Sequence, residues 1–186
     1  MYMPDIVARD IRDVDLASSG GITHTWYSGA VLFPFGFGLS YAQFSYTMHF
    51  HGHDAQRWSI SLHDNYTITK GSQEEKTLRV RVSNTGRGSV RSDCVVLVFI
   101  ETVNFNFNSV SPSAPPVPRE ALVAFQRIRN ISPGDVFESD FKLQFLELFS
   151  AFRDEEGSVH PPRGTYALRI GHSSGESQAR LSIIVS

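Results

Sequence analysis

Apolar and polar residues alternate with a period of two over several separate stretches of this chain, the pattern of strands with one face in a core and one in water. Leu78, Val80 and Val82 share one face and Arg79, Arg81 and Ser83 the other, until the Asn-Thr-Gly turn signal at residues 84–86. Phe137, Phe141, Leu143 and Phe145 alternate with Glu138, Asp140, Lys142 and Gln144. Tyr166, Leu168 and Ile170 repeat the pattern, and Ala179, Leu181, Ile183 and Val185 repeat it again after a Ser-Ser-Gly-Glu-Ser turn. Residues 94–102 suit a central strand, with a continuous apolar run over residues 94–100, and residues 45–51 and 121–129 complete the set. An all-β antiparallel sandwich is the natural closure. Residues 146–152 allow a short helical turn, and the prolines of residues 104–120 exclude a central strand there. That long connection is expected to cross between sheets or to stand out from them.

Ahead of these strands, residues 1–31 mix acidic, basic and apolar positions and loosen into Ser-Ser-Gly-Gly, which predicts an extended arm. The arm ends in Leu-Phe-Pro-Phe-Gly-Phe-Gly-Leu-Ser-Tyr-Ala-Gln-Phe at residues 32–44. Phe33, Phe35, Phe37, Tyr41 and Phe44 each need apolar cover, worth about 1.5–3 kcal/mol per fully buried side chain, while Gly36 and Gly38 free the backbone between them. Two readings stand at this point: a turn plugging the domain's own core, or a segment that docks on a partner domain.

With 186 residues the chain suits one domain plus an arm, and 41% hydrophobic against 19% charged residues predicts extensive burial. A net charge of −2 argues against electrostatic capture of nucleic acid or of an anionic membrane. No apolar run approaches the roughly 20 residues that span a bilayer. The first residues lack the basic, apolar and small-residue order of a secretory signal, so no export address is expected in the chain as read. Cys94 sits inside the apolar run, where a buried thiol is expected rather than a nucleophile.

His49, His51 and His53 fall on alternate positions, with Asp54, His63 and Asp64 nearby, a spacing that suits a metal on one strand face. Gly52 and Asp54 end that strand, however, so the expectation is a solvated histidine edge, with no metal and no cofactor. Asp154, Glu155 and Glu156, and the pair Glu74 and Glu75, are loop acids whose side chains point apart. A glycosidase pair instead needs two carboxyls facing across a cleft, about 5–9.5 Å apart. No nucleophile elbow, phosphate-binding loop or zinc-protease motif is present. Asn65 and Asn130 satisfy the N-glycosylation triplet. Trp26, Tyr27 and Trp58 offer flat faces on which a sugar ring stacks, with packing as the plainer role.

Four stretches taken in order resemble the C-terminal part of glycoside hydrolase family 3 enzymes, the β-glucosidases and β-xylosidases, which end in a fibronectin type III-like domain. Thr-Trp-Tyr-Ser-Gly at residues 25–29, followed by residues 32–44, looks like the family's joining segment. Residues 78–100 resemble its first paired strands with their Asn-Thr-Gly turn, and residues 121–143 its Leu-x-Gly-Phe-x-Arg-Val and Pro-Gly strand pair. Residues 152–171 resemble the closing hairpin, whose strand opens here with Pro162, Arg163, Gly164, Thr165 and Tyr166. The sequence departs from the family at Thr25, where a basic residue is usual, at Ala124, where glycine is usual, and over residues 48–70, a histidine-rich insertion without a match.

The resemblance implies a fibronectin type III-like (immunoglobulin-like) sandwich over residues 44–186, preceded by a joining arm over residues 1–43. The family's nucleophilic Asp lies in an N-terminal barrel and its acid/base Glu also lies upstream, so no residue here inherits a catalytic role. The implied function is a non-catalytic accessory and stabilising domain of a retaining β-glycosidase, with the spacing leaning to the β-xylosidase branch. The implied partners are the parent's barrel and second domain in cis, reached through Phe33, Phe35, Gly36, Phe37, Gly38 and Tyr41. The alternative is a carbohydrate-binding module that holds an oligosaccharide on Trp26, Tyr27 and Trp58. As part of a full-length parent, a secreted or acidic-compartment setting is implied.

Overall fold

A computed structural model of the chain describes residues 10, 12–18, 20–50, 57–60, 76–87, 90–105 and 113–185. Among them, one sheet holds β1 (Phe44–Phe50), β3 (Lys76–Asn84) and β6 (Val136–Leu143) in the order β1-β3-β6. The other holds β2 (Arg57–Ile60), β4 (Ser92–Phe105), β5 (Glu120–Ile131), β7 (Gly164–Gly171) and β8 (Ala179–Val185) in the order β2-β8-β7-β4-β5. The two sheets face each other as a sandwich around one apolar core, the all-β architecture of a fibronectin type III-like domain.

The alternating positions behave as their pattern requires. Leu78, Val80 and Val82 of β3 meet Val96, Val98 and Ile100 of β4 and Leu168 and Ile170 of β7 in that core. On the outer face of β3, Arg79 donates to both carboxylate oxygens of Asp140 at 2.7 and 2.8 Å, and Arg81 donates to Glu138 at 3.0 Å. These residues stand directly opposite one another in the β3–β6 register. Exposed pairs of this kind contribute about 0.2–1 kcal/mol each, so they select register more than they stabilise. Cys94 is buried, with its sulfur 3.1 Å from the Tyr46 hydroxyl. Burial pushes both the thiol and the phenol up from their ordinary pKa values, so neither ionises near neutrality.

One end of the sandwich is closed by α1 (Phe145–Leu148) and the residues after it. Phe149, Phe152 and Tyr166 meet edge to face with centroids 5.1–5.4 Å apart. The Tyr166 hydroxyl donates to the Pro162 carbonyl at 2.5 Å, four residues upstream. This tyrosine corner is the physical content of the Pro-Arg-Gly-Thr-Tyr stretch.

Three expectations need correction. The strands are not all antiparallel: β2 pairs in parallel with β8, because the chain leaves the first sheet after β1 and joins the far edge of the second. That four-residue strand lies in the segment that matched no pattern, too short for alternation to register. Of the two courses expected for the connection over residues 104–120, crossing between the sheets is the one that does not hold, since β4 and β5 are antiparallel neighbours in one sheet. Phe137 does not share the burial of Phe141 and Leu143, because it stands at the start of an edge strand.

Candidate functional site

The feature of the molecule most like a site is the arm, and its bed is the outer face of the five-stranded sheet. Along β4, Val96, Val98 and Ile100 point into the core, so Leu97 and Phe99 point outward. Phe99 is nevertheless 0% exposed. The His24 ring stacks on Phe35 at 4.5 Å, and both meet Phe99 edge-on at 6.2 and 6.3 Å. The arm is fixed at both ends of this contact. Arg119 donates its backbone N–H to the Thr25 carbonyl and its guanidinium to the Tyr27 carbonyl, each at 2.8 Å, while Ser174 N–H donates to the Phe35 carbonyl at 2.7 Å.

Gly36 is required at its position. Its φ is +82°, and a Cβ there would lie 2.5 Å from Leu97 Cδ1 and 2.7 Å from the His172 carbonyl. Gly38 meets no such constraint, having open space around it. Further along, the Ser40 and Ser92 hydroxyls stand 3.3 Å apart, and Thr85 N–H donates to the Gln43 carbonyl at 2.7 Å as the chain turns into β1. The arm therefore runs the length of β4 before the sandwich begins.

A buried ionic cluster lies under the same face. Arg169, opposite Phe99 in the β4–β7 register, holds its guanidinium 4.8 Å from the Phe99 ring centroid. It donates to the buried Glu120 carboxylate and, at 2.7 Å, to the Glu176 carbonyl. Arg180 pairs with Glu101 at 3.1 Å beside it. Burial pushes the Glu120 carboxyl up from its ordinary value and the Arg169 charge opposes that shift without cancelling it. Burial alone holds the His24 imidazole below its ordinary value, favouring the neutral ring.

The arm's other side chains face away from this bed. Leu39 is 94% exposed, Tyr41 98% and Phe33 61%, and Leu32 and Phe37 are exposed with them. The Phe33 and Phe37 rings lie 5.2 Å apart, a pair with one side in water. Of the residues singled out for docking, Phe35 and Gly36 are thus engaged with the chain's own sheet, and Phe33, Phe37 and Tyr41 present the outward surface.

The remaining candidates are scattered. Trp26 and Tyr27 are partly buried in a turn whose N–H groups both donate to the Thr23 carbonyl, at 3.1 and 2.8 Å. Trp58 lies in β2, with its side chain outside the described residues, so the three aromatics are not seen as one platform. Asn130 is exposed with φ +59°, at the irregularity near the end of β5. His49 is exposed on β1, while His51, His53, Asp54, His63, Asp64, Asn65, Glu74 and Glu75 lie outside the described residues. Among the described residues, no group of three potential metal ligands converges. Asp154 is used locally, accepting from Ser158 N–H at 2.7 Å to close its own turn. Sequence reasoning missed His24 as part of the arm's anchor, since a lone histidine in a polar stretch carries no periodic signal.

No protein-family model matches the chain. The exo-1,4-beta-xylosidase of Emericella nidulans is 27% identical over 186 residues, covering 98% of this chain and 22% of that protein. The probable exo-1,4-beta-xylosidase of Aspergillus terreus is 30% identical over 169 residues, covering 91% and 20%. A solved GH3 exo-beta-xylosidase, in complex with a xylobiose aziridine activity-based probe, superposes with a TM-score of 0.70 at 21% identity, over 97% of this chain and 22% of that one. The chain belongs to the C-terminal region of glycoside hydrolase family 3. The beta-glucosidase from Kluyveromyces marxianus agrees, with a TM-score of 0.60 at 25% identity over 84% of this family 3 segment and 15% of that chain. The segment thus spans about a fifth of the length of the curated relatives it matches. Its sandwich accounts for the shared architecture.

Proposed function

We propose that this chain is a non-catalytic accessory and stabilising domain of a family 3 β-glycosidase, seated on the catalytic region by the outward face of its arm. The observation that carries this reading is the division of the arm into two faces. One face is anchored on the sandwich through His24, Phe35 and Gly36, while Leu32, Leu39 and Tyr41 are left almost wholly to water and the Phe33 and Phe37 pair is exposed beside them. An anchored backbone that displays apolar side chains is costly unless a second surface covers them. The fivefold greater length of the relatives supplies such a surface. The names of the curated relatives favour a parent that removes terminal β-linked xylose over one that removes glucose. No residue of the chain is assigned to bond cleavage, which falls to the parent's upstream carboxylates.

The test is to produce the 186-residue chain alone and to measure binding of an apolar-surface dye and self-association. The wild-type chain is expected to bind dye and to associate, and the double variant Leu39→Ser, Tyr41→Ser to do both less at unchanged melting temperature. A monodisperse wild-type monomer with no dye signal would sink the proposal. Xylan affinity that Trp26→Ala abolishes would favour the carbohydrate-binding alternative.

A further inference from the structure

Phe125 is 70% exposed in the middle of β5. It lies directly opposite Leu97 in the β4–β5 register, and paired residues project from the same face of a sheet. Leu97 is the residue over which Gly36 closes. Phe125 therefore stands on the arm's own face of the sheet, one strand beyond the ground the arm covers. Val95, also exposed, is two residues along β4 on that face. Its register partner, Arg127, is tied back by two bonds to Asp93, at 2.6 and 3.1 Å. The Asn130 N–H and the Arg127 guanidinium hold the Asp93 carboxyl below its ordinary range, so this charge pair is in place at neutral pH. Its cation is thus already matched at the rim of the apolar patch.

We infer that Phe125, with Val95 beside it, extends the docking surface of the arm onto strand β5 and inserts into an apolar pocket of the catalytic region of a family 3 polypeptide. This rests on the accessory-domain reading above and adds to it a second, non-contiguous anchor. The choice of occupant follows from where the arm lies and from length. His24 sits over Phe99, so the part of the arm nearest the upstream chain is on this face. In the Emericella nidulans relative the matched segment is only 22% of the polypeptide, leaving a body large enough to cover both the arm and the strand. A large exposed aromatic beside an apolar neighbour and an already paired charge suits an interface anchor.

The experiment mixes the full 186-residue chain with the portion of the Emericella nidulans exo-1,4-beta-xylosidase that lies outside its matched segment, taken in a preparation whose cooperative melting transition shows it folded, and measures affinity by titration. Phe125→Thr keeps a strand-forming residue and is expected to weaken binding about tenfold or more, the range of a hot-spot truncation. Val95→Lys is expected to act in the same direction. Val136→Thr, exposed at the start of β6 in the other sheet, is the control and is expected to bind as wild type. Radical footprinting is expected to show oxidation of Phe125 falling severalfold in the complex. If Phe33→Ser weakens binding while Phe125→Thr and Val95→Lys do not, this inference is overturned and the arm reading stands. If the wild-type chain does not bind, both fall. A Phe125→Thr chain that melts several degrees lower would mark a structural role and overturn the inference as well.

Discussion

The chain has two apolar layers, and they differ in whether the molecule completes them itself. Between the sheets, Phe149, Phe152, Tyr166 and the alternating residues of β3, β4 and β7 are enclosed on every side. Outside the five-stranded sheet, the second layer is finished only on its inner side, where Phe99 and Leu97 are covered by His24, Phe35 and Gly36. Its outer side ends in exposed aromatics. An inner core of this kind serves the domain's own stability, whereas on the accessory-domain reading proposed above the half-finished layer serves association. The difference lies in anchoring as much as in exposure, because the arm's carbonyls are fixed by Arg119 and Ser174.

The comparison is broken most forcefully from the inside. Phe149→Ala removes one ring of the edge-to-face trio and leaves a cavity, with an expected loss of about 3–5 kcal/mol. Against a typical total of about 5–15 kcal/mol, that is a large fraction, and it appears as a lower denaturation midpoint for every probe at once. A loss below about 1 kcal/mol would mean that the end of the sandwich tolerates repacking and that the inner layer is not sealed. A smaller and more local effect is expected from Gly36→Ala. The new methyl meets the His172 carbonyl, part of the backbone, and the positive φ adds strain. The arm therefore lifts at a cost of about 1–3 kcal/mol. Hydrogen exchange of the Ser174 and Phe37 amides, bonded to the Phe35 and Pro34 carbonyls, is expected to quicken while the global midpoint holds. If the midpoint falls as far as in Phe149→Ala, the arm belongs to the same cooperative unit and the two layers are one.

How these layers are written in the sequence also differs. The inner core follows from period-two alternation at Leu78, Val80 and Val82 or at Leu181, Ile183 and Val185, because a strand with one wet face has no other way to be patterned. The unbroken apolar run at residues 94–100 carried the signal of the outer layer too, since a strand buried on both faces must be apolar on both. What covers that second face was not legible. Phe35 and Phe37 are identical residue types two positions apart and similarly exposed, at 39% and 46%, and only the fold sets one against His24 and Phe99 and the other against Phe33. Strand β2 escaped because four residues in parallel pairing leave no alternation to read, and the ionic cluster of Glu101 and Glu120 with Arg169 and Arg180 escaped because its acids and bases are distant in sequence. Phe125 lay inside a quoted motif, but its exposure is a property of the sheet face and of how far the arm reaches.

The finest separation of the two layers comes from pH, through His24. Its imidazole stacks on Phe35 and meets Phe99 edge-on, and burial holds its pKa in the folded arm below the ordinary 6.5. A histidine so shifted is favoured neutral in the docked state, so its contribution to docking is intact above pH 6.5 and is lost progressively as the pH falls from there through the lowered folded value. The arm is expected to loosen on mild acidification, with faster exchange of the Ser174 amide, before the sandwich responds. Other histidine–carboxylate contacts are present in the molecule, His172 beside Glu176 and His160 beside Asp154. The informative quantity is therefore the difference between the wild type and His24→Phe, which keeps an aromatic ring in the stack and removes the titrating group. That variant is expected to hold the arm down with a flatter pH profile between 7 and about 5. Identical profiles for the two proteins would show that the arm's attachment does not depend on a neutral ring at residue 24, and that the hydrogen bonds from Arg119 and Ser174 suffice to keep the outer layer half closed.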